Sequence, residues 1–489
     1  MPSGSHTDGS WTERAWVLLA ATSALYFLAG NEADNDLWVH LLLGRRILAS
    51  GAIPRFDDLS FTAAGAAWVD HEWLAQVVMA FLYDSIGGTG LWLAKVAVGL
   101  ATAALTWRTM RRRHGTLAVD CFVLVLTMAA LSRGFATRPQ IFSYLFVAAL
   151  LAWLDTAGES PPATRVAVPL VAIWLCLWAN LHGAFIVGLG ILGLWALAPP
   201  WQHLRGRTAL PAVALIAACL NPYGPSLFTY IWGELSLPHP LTEWQPVHFG
   251  DPTQWPFWIA LITVGASAPF SSLSRKSPWR LILVVGTAVL ALRHQRHVPL
   301  FALCAAAPLA DQIDGAAARF GAALSAPAVR IIAAASVLMA SVQIALLGQH
   351  TIADRATLVF AAEEYPVNAV RFAAEHDLHG SLALPLDWGG YALWHLSPAM
   401  RVSMDGRFAT VYPPAVVRMN FDFFAGAGHA LLDRYRPDFV LTPGNVTMPA
   451  LAAAQYHPIF RDRAAVLYAR AQLEDASLHR ARQGRIPFP

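Results

Sequence analysis

Charged side chains make up only 13% of this 489-residue chain, about half the share expected of a water-soluble domain. A soluble fold along the whole length is thereby excluded. Cysteine is equally scarce. The four present (Cys121, Cys176, Cys219 and Cys304) all fall in apolar runs with no CxxC spacing, so neither a disulfide framework nor a zinc knuckle is expected. They read as small core residues. After about residue 350 neither G-x-G-x-x-G nor a Walker A sequence occurs, so no nucleotide site is expected there. The net charge of +3 is dispersed, without the basic stripe a nucleic-acid groove needs, so no nucleic-acid partner is expected. A polar lead and an apolar run from Ala15 to Gly30 resemble a secretory signal, but no A-x-A cleavage site follows and further hydrophobic segments do. The run is expected to be an uncleaved first span.

What the chain does have is hydrophobic residues, 56% of the total. A window of about 20 residues, enough to cross roughly 30 Å of hydrocarbon, selects segments near 15–30, 89–107, 117–132, 139–154, 166–180, 183–199, 208–220, 255–270, 279–294, 297–312 and 328–347. About eleven spans result. Lys and Arg in short loops set the orientation. Counting from a cytoplasmic N-terminus, the inner loops hold Arg108, Arg111, Arg112, Arg113, Arg165, Arg205, Arg207, Arg275, Lys276 and Arg280. The short outer loops that follow the long first one hold Arg133, Arg138, Arg293 and Arg296. The expected topology is N-in and C-out.

Two regions depart from the hydrophobic pattern. The first outer loop, 31–88, contains Leu37–Ser50 and Glu72–Ile86, both helical in period with a polar edge, as interfacial helices are. From about residue 350 the composition becomes soluble-like. Helical stretches (367–376, 429–435) alternate there with strand-like ones (381–386, 401–404, 439–442, 465–469), which predicts a small extracytoplasmic α/β domain over 350–489. The transmembrane domain is expected over 1–349.

The polar groups sort to the outer side. Ionisable groups at a membrane edge are costly unless they pair or line a wet cavity, so their concentration marks a site. The sharpest feature is Asp34-Asn35-Asp36-Leu-Trp-Val-His40. A carboxylate there can take a proton from a hydroxyl, although an Asp before Leu37 is also a favoured helix cap. A D-x-D pair also allows a divalent cation (magnesium or manganese) to bridge phosphate oxygens, with Asp34 and Asp36 as its ligands. Asp70, His71 and Glu72 open the second interfacial helix, where acids are favoured by the dipole alone. Arg133, Arg138, Arg293, Arg296 and His297 flank outer turns. Guanidiniums there suit phosphate, or else snorkel to the interface. Lys95, inside the second span, is expected to reach a phosphate or a carboxylate, and His182 lies at a span end. Asp387 and Asp405-Gly406-Arg407 read as cap and turn residues.

These residues carry a resemblance. The run from Asp34 to Gln76, RPQIFSY (138–144), WANLHGAF (178–185), NPYG (221–224), DWGGYALW (387–394) and DGR (405–407) resemble a group of bacterial polytopic proteins assigned to the GT-C glycosyltransferase superfamily. The resemblance implies a GT-C fold, a long first outer loop with a catalytic acid, and a polyprenyl-phosphate sugar donor. Asp34 and Asp36 occupy the place of that acid. The implied reaction is inverting transfer to an extracytoplasmic acceptor such as a cell-envelope glycan, lipid or protein. WWDYG is absent, and DWGGY echoes it only loosely, so oligosaccharide transfer to protein has no support. A lipid or solute transporter or flippase, and a non-catalytic GT-C-like scaffold, are the rival classes.

Overall fold

The computed structural model describes residues 6–157, 164–199, 204–236, 241–271, 277–321, 325–353, 356–446 and 448–471. Through residue 353 the helices are α1 (His6–Leu28), α2 (Leu37–Ser50), α3 (Trp73–Ile86), α4 (Gly88–Arg111), α5 (Leu117–Ser132), α6 (Gln140–Ala157) and α7 (Thr164–Leu181). Then come α8 (Phe185–Leu197), α9 (Leu204–Ala218), α10 (Ser226–Ser236), α11 (Trp255–Ser267), α12 (Pro278–Arg293), α13 (Val298–Phe320) and α14 (Ala326–Ala353). Each hydrophobic segment expected to span is a helix. The expected inner-loop residues Arg275 and Lys276 lie outside the described residues.

The chain divides into two compact units, the first made of 1–31, 86–225 and 238–358. Its helices carry apolar side chains on their exteriors: Ile216, Ile331 and Leu338 are 69%, 69% and 68% exposed. Water does not favour such an exterior, and hydrocarbon does. Unit one is therefore a multi-pass membrane body. Among the described residues two helices, Gly88–Arg111 and Ala326–Gln349, are long and apolar enough to cross unaided. Several polar groups inside this body are paired, which lowers their cost in hydrocarbon. Gln343 of α14 accepts from Thr22 of α1 at 2.8 Å and donates to Ser23 at 3.0 Å. Asp120 of α5 takes Arg111 and Arg113, each at 2.7 Å.

Unit two comprises 32–85, 226–237 and 359–489, which corrects the expected division at 349/350. The first loop and α10 belong with the tail. The remaining elements are α15 (Val367–Glu375), β1 (Gly380–Ala383), α16 (Leu386–Leu396), β2 (Met400–Val402) and α17 (Pro414–Phe424). They are followed by α18 (Ala430–Tyr435), β3 (Phe439–Pro443), α19 (Pro449–Ala453), β4 (Tyr456–Arg461) and β5 (Ala465–Arg470). The sheet order is β2-β1-β3-β5-β4. β1 runs parallel to β2 and β3, while β5 is antiparallel to both β3 and β4. The tail is thus α/β, as its alternating pattern predicts.

The reason for the corrected grouping is hydrogen bonding at the β2 edge. Ser60 bridges Val402 in parallel, with Phe61 N–H donating to Val402 O at 3.1 Å and Val402 N–H to Leu59 O at 3.1 Å. An open edge strand seeks such a partner. Helices α2 and α3 then cross tightly at Gly44, where a β-carbon would overlap the Gln76 carbonyl. Gly51, at φ 66°, ends α2 with its N–H on Ile47 O at 2.8 Å, the left-handed cap for which glycine is favoured.

Candidate functional site

Asp34 and Asp36 sit half-buried at the start of α2. Asp36 is the residue before the first helical turn, yet its side chain does not bond the turn's amides. The capping explanation for it therefore fails. Asp34 instead braces the local backbone, its Oδ1 accepting the Asp36 N–H at 3.0 Å in an Asx-type arrangement. Between them, Asn35 Oδ1 takes the Tyr365 hydroxyl at 2.6 Å. Trp38 anchors the segment from below, edge-on to Phe360 and Tyr391 at centroid distances of 5.6 and 5.3 Å.

The tail motifs converge on this point. A β-carbon on Gly390 of DWGGY would come 3.0 Å from Asn35 O, and one on Gly389 would overlap the Met404 carbonyl. One on Gly406 would overlap Oδ1 of Asp36 and lie 3.0 Å from its Cγ. The turn that presents Gly406 is fixed by buried charge. Arg407 Nε reaches Asp405 Oδ1 at 2.8 Å, and its Nη2 reaches Asp405 Oδ2 at 2.7 Å and Asp57 Oδ1 at 2.8 Å. Tyr412 donates to Asp405 Oδ2 at 2.6 Å, and the guanidinium lies 5.0 Å over the Trp68 ring. The Arg407 guanidinium holds the Asp405 carboxyl below its ordinary range despite burial. Asp405 and Arg407 are thus more than turn residues. Asp387 is exposed in the first turn of α16, whose N-cap position is Pro385 and carries no side-chain cap.

A second acidic group lies in the same unit. His40 is buried, with Nε2 3.9 Å from Glu72 Oε2, and His71 Nε2 stands 3.7 Å from Glu72 Oε1. Asp70 is 2% exposed and accepts Gln76 Nε2 at 2.7 Å. Burial first, and the Glu72 charge second, push its carboxyl up to about 7. Tyr230 of α10 faces His71 at a ring distance of 5.5 Å.

The expected cationic residues lie in unit one, several already engaged with acids. Arg133 Nη1 meets Asp251 Oδ2 at 3.0 Å. Bonds from Thr253, then Arg133, draw the Asp251 carboxyl down to about 2. Arg138 and Arg296 share Glu243, and Arg296 also lies 4.3 Å over Trp244. Arg293 is exposed at the end of α12. His297 ends the short turn Gln295–His297 directly before α13, its ring 6.0 Å from that of His294. Lys95 is 5% exposed and donates to the Gly30 carbonyl just beyond α1, a usual place for a cation at a helix C-terminus. His182 Nδ1 accepts from Ala184 N–H at 3.2 Å and lies 2.8 Å from Ser143 Oγ, which itself accepts the Trp178 indole N–H at 2.7 Å. With Nδ1 an acceptor, the neutral ring carries its proton on Nε2.

The D-x-D pair does not fit a cation by itself. Among the described residues no three His, Cys, Asp or Glu side chains are grouped to hold a metal, and Asp34 is turned to a backbone amide. No chemical step is therefore derived through a metal.

No family model and no curated protein sequence matches the chain. Solved structures do. Archaeoglobus fulgidus oligosaccharyltransferase in the apo form matches over 96% of this chain and 75% of its own, with TM-score 0.63 and 11% identity. ArnT from Cupriavidus metallidurans bound to undecaprenyl phosphate matches over 94% of this chain and 98% of its own, at TM-score 0.51 and 14% identity. The fold is that of the GT-C glycosyltransferases. The mycobacterial arabinofuranosyltransferase AftD shares it over 93% of this chain, though only 40% of AftD is covered, at TM-score 0.54 and 15% identity. The GT-C architecture expected from the sequence motifs is thus present. What the motifs add within that fold is the packing of DND, DWGGY and DGR against one another in unit two.

Proposed function

We propose that this chain is an inverting glycosyltransferase that moves a sugar from a polyprenyl-phosphate donor to a hydroxyl of an extracytoplasmic acceptor. The observation that carries the reading is the Asp36 carboxylate, half-buried, not used as a cap, and backed by the Gly406 turn within a GT-C fold. In the proposed step Asp36 takes the proton of the acceptor hydroxyl. The oxygen forms the new bond to the anomeric carbon, whose bond to the phosphate oxygen breaks, and the lipid phosphate leaves with that electron pair. Asp34 is the alternative base. Arg133, Arg138, Arg293 and Arg296, with Lys95, His182 and His297, are the proposed phosphate and substrate contacts, where positive charge stabilises the leaving group. His40, Asp70, His71 and Glu72 are proposed substrate contacts. ArnT bound to undecaprenyl phosphate supports a lipid-phosphate donor. We place the polar edge on the extracytoplasmic side from the Lys and Arg distribution, and the membrane as a bacterial plasma (inner) membrane from the resemblance of the sequence motifs.

Purified protein is tested for label transfer from a panel of polyprenyl-phosphate sugars, alongside Asp36→Asn and Asp34→Asn. Loss of transfer in Asp36→Asn, with Asp34→Asn less affected, is expected. Undiminished transfer in both removes the base assignment. The ion pairs already held by Arg133, Arg138 and Arg296 favour one rival, a non-catalytic scaffold, and silence of the wild type across the donor panel would support it.

A further inference from the structure

We infer that Gly406, in the turn Asp405-Gly406-Arg407, is a positioning residue that sets the direction of the Asp36 carboxylate; the inference rests on the base role proposed for Asp36. The three heavy atoms nearest a β-carbon at Gly406 all belong to Asp36: Oδ1, Cγ at 3.0 Å and Cα at 3.5 Å. Gly406 does not have a positive φ, so its backbone conformation does not require glycine. What requires it is room for one carboxylate.

The surroundings of that contact are rigid on both sides. Behind Gly406, the Arg407 N–H and guanidinium bind Asp405, the guanidinium also binds Asp57, and all three side chains are buried. In front, the Asp36 N–H is held by Asp34 and the adjoining Asn35 by Tyr365. A carboxylate between a fixed main chain and a fixed wall has few rotamers left. A general base gains from that, because misplacement by about 1 Å can cost about a hundredfold in rate. The wall presents backbone at this point, so it directs the carboxylate by shape. The first loop and the tail thus meet in one catalytic element, with Asp36 as its reacting group and Gly406 as its template.

The test is Gly406→Ala in full-length protein, assayed for transfer from the donor accepted by the wild type. Expected are a fall in kcat of about tenfold or more, a KM for donor and an affinity for undecaprenyl phosphate within about twofold, and a displaced acidic limb of kcat/KM. A merely structural glycine would lower the amount of folded enzyme and leave the limb in place, which would overturn the inference. So would a wild-type kcat. Thermal unfolding supplies a readout independent of turnover. Gly406→Ala should lower the Tm, and adding Asp36→Ala should restore it to that of Asp36→Ala alone, because the overlapping atoms are then gone. A double variant as unstable as Gly406→Ala overturns the contact. If the wild type transfers sugar and Gly406→Ala is unaltered, only the positioning role fails. If the wild type transfers nothing from any donor, the glycosyltransferase reading fails and this inference falls with it.

Discussion

Glu243 lies between two guanidiniums, its Oε2 3.2 Å from Arg138 Nη1 and its Oε1 3.2 Å from Arg296 Nη1. A single carboxylate therefore occupies the oxygen positions that a phosphate would claim from the same pair. Guanidiniums favour two-oxygen anions of either kind. Glu243→Gln removes the competing charge while keeping the shape. Undecaprenyl phosphate, titrated in detergent at low salt, should bind this variant up to about tenfold more tightly, equivalent to about 1.4 kcal/mol. Unchanged or weaker binding would mean that these arginines serve the loop and not a ligand.

Arg407 offers a stability prediction. It is 6% exposed and is the counter-charge to both Asp57 and Asp405, which are 2% and 0% exposed. Removing one member of a buried ion pair costs about 3–5 kcal/mol, because the remaining charge is left uncompensated. Arg407→Ala should therefore be among the most damaging single changes in unit two, read as loss of hydrogen-exchange protection over β1, β2 and the 57–61 segment. Protection equal to wild type would contradict the clamp described for this turn.

Asp70 makes stability depend on pH. Its carboxyl is raised to about 7 in the folded protein from an ordinary 3.8. A raised acid means that the folded state binds more protons than the unfolded state between those values. Stability then falls as pH rises through that window and levels off above about 7, by roughly 4 kcal/mol at most. Asp70→Asn should flatten this part of the profile and gain relative to wild type at pH 8. Unfolding midpoints at pH 5 and pH 8 check it, and parallel profiles for the two proteins would refute it.

Ser143 joins two helices through one hydroxyl, accepting from Trp178 and bonded to His182. Ser143→Ala leaves the Trp178 indole N–H without this acceptor in a buried site, which costs about 1–3 kcal/mol. A lower thermal midpoint in detergent is expected, together with a broadened His182 imidazole signal in selectively labelled protein. An unchanged midpoint would show that another acceptor takes over.

Much of this architecture was legible locally. The period of Leu37–Ser50 gives α2 to the residue, and α3 starts one residue later than its expected Glu72, because amphipathic spacing is written in consecutive side chains. The strands β1, β2, β3 and β5 fall where alternating apolar runs predict them. β4 escapes because Pro458 and His457 interrupt its pattern, and α16 escapes because the glycines of DWGGY disguise a helix start. The grouping of the first loop with the tail has no local signal. It depends on Ser60 pairing with Val402, and register between distant segments is not written in either alone. The same holds for the site. Asp34 and Asp36 stand out as acids, but the bond from the Asp36 N–H to Asp34 and the packing of Gly406 on Asp36 are not visible before the chain has folded. The acids facing Arg133, Arg138 and Arg296 arrive from the 241–254 loop, whose short 3-10 turns carry no periodic pattern.

The pairing at the β2 edge also orders events during synthesis. Thr62 and Ser403, joined at 2.6 Å, are 341 positions apart in the chain, and every helix from α3 to α14 is translated between them. The loop bearing Asp36 therefore emerges early but cannot acquire its backing until β2 and the turn after it have been made. A protein interrupted anywhere before residue 400 therefore carries the proposed base without the turn that backs it.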